Sequence, residues 1–348
     1  MSSEAMTFRY SVLIPVYNVG ALLKPCLDSI LASVRACLAK TGDFAVEIVC
    51  VDDGSTDSSP AILADCAASA NAERLAFRVV TRANGGVAEA RNSALAAAHG
   101  EYVLWCDADD LVRPEWLGEI DSARERFDCP DILIFDHVWE CGDNWRTTSD
   151  YGYAAGAVPA RRYLLDLLRG TRVACYLWGL CIRRSLFAGL KFDRKMRTLE
   201  DYVLLPELAR RARTVVYLPK ILYSYRLRCG SLSNGGCGRR IAEDYDFSLR
   251  NEAYWLREEG EDAAFAAVAG QCALAYSRCT ARVLGEHGED RDNSADAAFV
   301  RRRLPTLLFR SGIDIVWKLK FALCAFNLLG LMRRRWLRLR SRREAVAQ

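Results

Sequence analysis

Histidine is scarce in this 348-residue chain, limited to His99, His137 and His287, and none of its 14 cysteines stands in a Cys-x-x-Cys pair. That leaves no ligand set with zinc-site spacing. Glycine and proline are few, at 23 and 9, which excludes collagen-like and low-complexity classes, while 51% apolar content is enough to offset chain entropy. Neither a G-x-G-x-x-G sequence nor a P-loop occurs. Met1 to Tyr10 has no basic flank leading into an apolar core and contains Glu4, so no secretory leader is expected there.

The cysteines are scattered at irregular spacing through apolar runs, which fits reduced thiols acting as small core residues in a reducing compartment. At roughly 150 residues per domain, the length suits one large domain or two smaller ones. Charge is unevenly spread. From Arg301 onward there are 13 Lys/Arg against Asp314 and Glu344, a net +11, whereas residues 1–300 carry −7. An acidic body joined to a basic end points that end toward an anionic surface, a membrane face or nucleic acid.

Short apolar runs rich in β-branched residues at Tyr10–Val16, Val46–Val51, Phe77–Thr81 and Tyr102–Cys106 read as strands. Helical patterns separate them: Leu22 to Leu31 at spacings of three and four, a segment opened by Ser58-Ser59-Pro60, and Val87–His99. Four strands alternating with helices predict a parallel α/β unit over the first 110 residues. Ligands of such sheets sit beyond the carboxyl ends of the strands. Further strands are expected at Ile132–Phe135 and Val215–Leu218, and two helices within 239–284.

Polar residues crowd each of the four strand ends. Asp107-Ala108-Asp109 places two carboxylates on alternate residues, so both can turn to one ligand if the chain stays extended. Such oxygen donors suit Mg²⁺ or Mn²⁺ bridging carboxylate and diphosphate, although a solvated turn would look the same. Asp52-Asp53-Gly54-Ser55 ends the second strand; capping accounts for part of it, and a carboxylate there can also accept a base N–H or a ribose hydroxyl. In Arg82-Ala83-Asn84-Gly85-Gly86, continuing to Arg91-Asn92, the glycines allow close backbone approach at a helix start and the arginines could meet phosphate; a plain tight turn is the other reading.

Taken in order, these segments and Val12-Leu13-Ile14-Pro15-Val16-Tyr17-Asn18 resemble the family 2 glycosyltransferases. The likeness is close over Tyr10 to about Asp110. It continues more loosely through Trp178-Gly179, Phe192, Leu199-Glu200-Asp201 and Tyr223-x-Tyr225-Arg226 to Ser231 and Ser233, in the order of the branch that builds capsule and other envelope glycans. It implies a GT-A fold, a mostly parallel α/β sheet flanked by helices with a helical C-terminal extension. It also implies Pro15, Tyr17 and Asn18 at the nucleoside, Asp53 and Asp52 at the uracil edge, and Arg82 and Gly86 near base or diphosphate. Asp107 would face ribose and donor sugar, and Asp109, with Asp107, would hold Mn²⁺ or Mg²⁺. Asp201 would be the general base with Glu200 beside it, and Trp178 would wall the acceptor.

The implied reaction moves a sugar from a UDP-sugar to a hydroxyl of a glycan or lipid-linked acceptor, with inversion. Rival readings are a sugar nucleotidyltransferase, which would place a Gly-rich basic loop where Pro15 to Asn18 stand, and a non-catalytic sugar-nucleotide binder, which would lack Asp109 or Asp201. The expected organisation is 1–233 for the glycosyltransferase domain, divided near 110, then a helical extension at 234–312 and a basic amphipathic tail at 313–348. Leu319–Met332 is nearly all apolar, shorter than the roughly 20 residues of a spanning helix, and is followed by Arg333, Arg334, Arg335, Arg338, Arg340, Arg342 and Arg343. An interfacial helix with Trp317 and Trp336 near headgroup level is expected, or else a helix packed on the body. The location would be cytoplasmic, at the inner membrane face. Nucleic acid is not expected as a partner.

Overall fold

Tyr10–Val16 forms β1, buried at every residue except partly exposed Pro15, because it lies mid-sheet between two parallel neighbours. The computed structural model describes residues 8–41, 46–73, 75–141, 144–147, 151–170, 176–196, 200–226, 251–284, 294–311, 313–326 and 328. Leu199, Ser231, Ser233, Trp336 and the arginines from Arg333 to Arg343 lie outside them.

The chain divides into two compact units, one of residues to Leu164 with Cys175–Asn234, the other of Leu165–Ala174 with the chain from Gly235. The first alternates as expected: α1 (Leu23–Thr41), β2 (Val46–Asp52), α2 (Ser59–Ala72), β3 (Ala76–Thr81), α3 (Val87–Ala97), β4 (Tyr102–Trp105). Then follow β5 (Leu111–Val112), α4 (Trp116–Arg126), β6 (Ile132–Cys141), β7 (Asn144–Thr147), β8 (Gly156–Val158), α5 (Ala160–Arg169, assigned to the second unit from Leu165), β9 (Leu180–Arg183), α6 (Glu200–Arg211) and β10 (Val215–Arg226).

The strand order is β3-β2-β1-β4-β9-β6-β10-β5, with β7 on β6 and β8 on β10. β9 runs antiparallel to both β4 and β6, so β6 and β10 point the same way as β1 to β4. All six therefore end at one edge. Backbone bonds continue the alignment past the strands, from Asp53 N–H to Val16 O at 2.9 Å, Arg82 N–H to Asp52 O at 3.0 Å and Cys106 N–H to Leu13 O at 3.1 Å. Beneath that edge the core is continuous and includes Tyr10, Leu27, Ile48, Tyr102, Trp116 and Phe135. Each such side chain contributes roughly 1.5–3 kcal/mol by leaving water. Of the ten cysteines with described side chains all are free thiols, and all but Cys129 are buried, as small core residues should be.

In the second unit α7 (Glu261–Leu284), α8 (Ser294–Phe309) and α9 (Ile315–Ala325) share one apolar cluster, including Cys272, Phe299, Leu307, Phe321 and Cys324. Positions 327 and 329–332 lie outside the described residues, and the described part of the apolar stretch Leu319–Met332 lies on or just past a helix from Ile315 to Ala325. Asp314 sets its start by accepting from Trp317 N–H at 3.0 Å. Trp317 is half-buried, its ring packing against Tyr276 and Phe321. Among the described residues, no helix is long and apolar enough to cross a membrane.

Candidate active site

The two aspartates ending β2 point to different tasks. Asp52, 3% exposed, accepts the N–H of Ser55 at 2.9 Å and closes the turn around Gly54. Glycine is required there, since φ is +74° and a Cβ would meet Asn84 N at 2.9 Å. Asp53, 2% exposed, accepts from the Arg82 guanidinium, from Gly85 N–H at 3.1 Å and from Gly86 N–H at 2.7 Å. Its carboxylate thus fixes the loop after β3. Gly86, at φ +90°, precedes α3 and turns the chain into it.

Across from that loop, Pro15 is half-buried, and Tyr17 is 49% exposed with an open ring surface. Asn18 (φ +48°) accepts Thr56 N–H at 2.8 Å and donates its own N–H to Ser55 at 3.1 Å, so the β1 and β2 end loops brace one another.

Arg91 does not face outward to phosphate. It is 5% exposed on α3, pairs with Glu200, and lies 3.2 Å from Asp107. Its guanidinium also sits over Trp105 and Phe192, at 6.0 and 5.8 Å. Next to it, Asn92 and Phe192 exchange two 2.9 Å hydrogen bonds, clipping the segment that leads to α6 onto α3. Glu200 and Asp201 form the first turn of α6. Burial pushes the Asp201 carboxyl up to about 7; Arg91 opposes the rise, while Glu200 and Asp107 add to it. A carboxylate so placed exchanges a proton near neutrality.

The Asp107 to Asp110 loop hangs on β10. Asp110, 1% exposed, accepts from Tyr223 OH at 2.7 Å and from Arg226 N–H at 2.8 Å, and Tyr223 OH in turn accepts Asp107 N–H at 3.1 Å. Arg226 also donates to Asp109 O. Asp107 and Asp109 stay partly open, with 29% of the Asp107 side chain accessible. Burial and the charges of Asp109 and Glu200 raise Asp107 against the pull of Arg91, a repulsion that a hard divalent cation would relieve. Among the described residues, no three His, Cys, Asp or Glu side chains close into a cage. Asp107 and Asp109 leave two partly open carboxylates at this loop, oxygen donors of the kind a hard divalent cation takes.

Trp178 is 3% exposed and stacks on Tyr176 and on Tyr223, each at 4.6 Å between centroids, with the His137 ring edge-on at the same distance. Almost none of its ring is left for an acceptor. The half-buried rings around it, Tyr176, Tyr225 and Trp139, hold the open surface instead. Burial lowers His137 to about 4, keeping it neutral. Sequence reasoning overlooked the anchoring by Arg91, Asp110 and Tyr223. The signal available was polar residues inside otherwise apolar segments.

A family model described as Glycosyl transferase family 2 matches residues 11–186, about half of the chain. The uncharacterized glycosyltransferase EpsJ of Bacillus subtilis (strain 168) is 31% identical over 233 residues, 64% of this chain and 62% of EpsJ. Succinoglycan biosynthesis protein ExoO of Rhizobium meliloti (strain 1021) is 31% identical over 216 residues, 59% of each. The chain thus spans less than two thirds of the length of either relative. Among solved structures, residues 1–349 of S. aureus TarS in complex with UDP-GlcNAc match with a TM-score of 0.62 at 20% identity, covering 86% of this chain and 83% of that one. This likeness gives the fold, GT-A, and the family match gives the membership: the chain belongs to glycosyl transferase family 2.

Proposed function

We propose that the protein transfers a sugar from a UDP-sugar to a hydroxyl of a glycan or lipid-linked acceptor in cell-envelope polysaccharide synthesis, with inversion at the anomeric carbon. Support for the donor comes from TarS, solved with UDP-GlcNAc, and support for the setting from ExoO, named for succinoglycan biosynthesis. Membership of a glycosyltransferase family removes the nucleotidyltransferase reading.

One observation carries the mechanism. Arg91 joins Glu200 to Asp107, tying the start of the α6 base helix to the carboxylate loop, with Asp201 poised near neutrality. Asp201 takes the proton of the acceptor hydroxyl as its oxygen attacks the anomeric carbon. The bond from that carbon to UDP breaks, and UDP leaves with the electron pair. A single base opposite the leaving group makes this one displacement, hence inversion. Asp109, with Asp107 beside it, would hold Mn²⁺ or Mg²⁺, which supplies electrostatic stabilisation of the leaving diphosphate.

Tyr17, Pro15 and Asn18 flank the nucleoside, and Asp52 and Asp53 hold the loops around the base. Arg82 and Gly86 lie toward base or diphosphate, and Asp107 toward ribose and sugar. The acceptor ring meets Tyr176, Tyr225 and Trp139, aromatic faces suited to a pyranose, with Trp178 as their backing. The basic end of the chain sets the enzyme at the inner membrane face. Replacing Asp201 with Asn tests the reading: transfer should be lost with UDP binding retained, and full activity would remove Asp201 from the mechanism.

A further inference from the structure

Helix α9 is apolar on two opposite sides, one buried and one exposed. At ~100° per residue, Ile315, Val316, Leu319, Ala322, Leu323 and Phe326 fall within one sector of about 120°. Ile315 is 69% exposed, Val316 56%, Leu319 59% and Phe326 56%. The opposite side carries Phe321, Cys324 and Ala325, buried against α7 and α8. This sector contains no charged residue of the helix; Ala322 and Leu323 are half-buried, and Arg301 lies over the Phe326 ring at 6.0 Å. Lys318 and Lys320 border it on its two sides, Lys318 donating to Leu308 O at 2.7 Å and Lys320 lying over Trp317 at 4.2 Å.

We infer that this face of α9 is a docking surface for an anionic lipid bilayer. It rests on the reading of the protein as a membrane-face transferase, and gives that reading a specific surface. The exposed apolar side chains would enter the acyl boundary, with the positive charge of the bordering lysines held beside the phosphate layer. Charge complementarity selects this occupant over another protein: Lys318 and Lys320 border the face, and seven arginines follow in the sequence between Arg333 and Arg343. The face belongs to a helix already packed in its unit, so it is presented without a folding step.

The test is co-sedimentation of the full chain with vesicles of phosphatidylcholine alone or with added phosphatidylglycerol. Wild type should pellet with the anionic vesicles and be released by high salt. Ile315→Ser and Leu319→Ser, made separately and together, should weaken binding, the pair by at least about tenfold, since each removes apolar area but no charge. Both positions are exposed, so unchanged melting curves are expected. Lys318→Gln should weaken binding to anionic vesicles only. Absence of wild-type binding, or binding that ignores both serine substitutions, overturns the inference. So does concentration-dependent self-association abolished by the same substitutions without vesicle binding, which would make the face a contact between copies. Thermal stabilisation by UDP, measured on the same samples without lipid, reports separately on the transferase reading.

Discussion

Arg91 and Glu200, 109 positions apart in the chain, form a salt bridge in which each residue is about 5% exposed. The pair fixes the first turn of α6 against α3, and Asp107 completes it on the other side of the guanidinium. Removing one member of a buried pair strands the other's charge, at a cost of about 3–5 kcal/mol. Arg91→Met should therefore lower the unfolding midpoint sharply in urea titration. Arg91→Lys keeps the charge and loses the forked geometry. It should remain folded, with kcat reduced far more than donor KM changes. Equal losses in both would place Arg91 outside positioning of the base.

The pH profile should carry the signature of Asp201. Its carboxyl, pushed up to about 7 chiefly by burial, must be ionised to accept a proton, so kcat should fall below that pH with a slope of one proton. Glu200 adds to the rise, being a like charge close by. Glu200→Gln removes that charge and leaves Arg91 less neutralised, so the acidic limb should move to lower pH. A limb that stays in place would sever the two carboxylates electrostatically.

Tyr223→Phe isolates the anchoring of the carboxylate loop. The hydroxyl donates to Asp110 and accepts from Asp107 N–H, and its loss leaves both partners short in a buried setting. The cost to stability should be about 1–3 kcal/mol. UDP affinity, followed by calorimetry, should fall as well, because Asp107 loses its backbone tether. Stability loss alone, with UDP affinity intact, would confine Tyr223 to the core.

For the ion, the comparison is Asp109→Ala against wild type. UDP with Mn²⁺ should raise the wild-type melting temperature more than UDP alone, since a ligand bound to the folded state adds to its stability. In Asp109→Ala the Mn²⁺-dependent part should vanish. An equal response to Mn²⁺ in both proteins would remove Asp109 as its ligand.

Much of the α/β half could be read from the chain, because strand and helix alternate there with clear periods and polar clusters mark each strand end. All four early strands fall within two residues of their expected bounds. What escaped were pairings across distance. Nothing in Arg91 reveals that it turns inward to Glu200, since a charged residue on an amphipathic helix is expected to face water. Trp178 gave a similar lesson: a large aromatic can serve as a wall or as filling, and only the flanking Tyr176 and Tyr223 rings decide between them. The tail was legible in charge but not in boundary, because an apolar run leaves open which side of its helix is covered.

Asp53 carries a lesson for anyone wishing to retune which nucleotide the enzyme prefers. Its carboxylate is the peg on which Arg82, Gly85 and Gly86 hang. Swapping it to favour another base would also unfasten the turn leading into α3, the helix that bears Arg91. Any redesign of the proposed nucleotide pocket therefore has to supply a new fastening for that turn from elsewhere before altering Asp53.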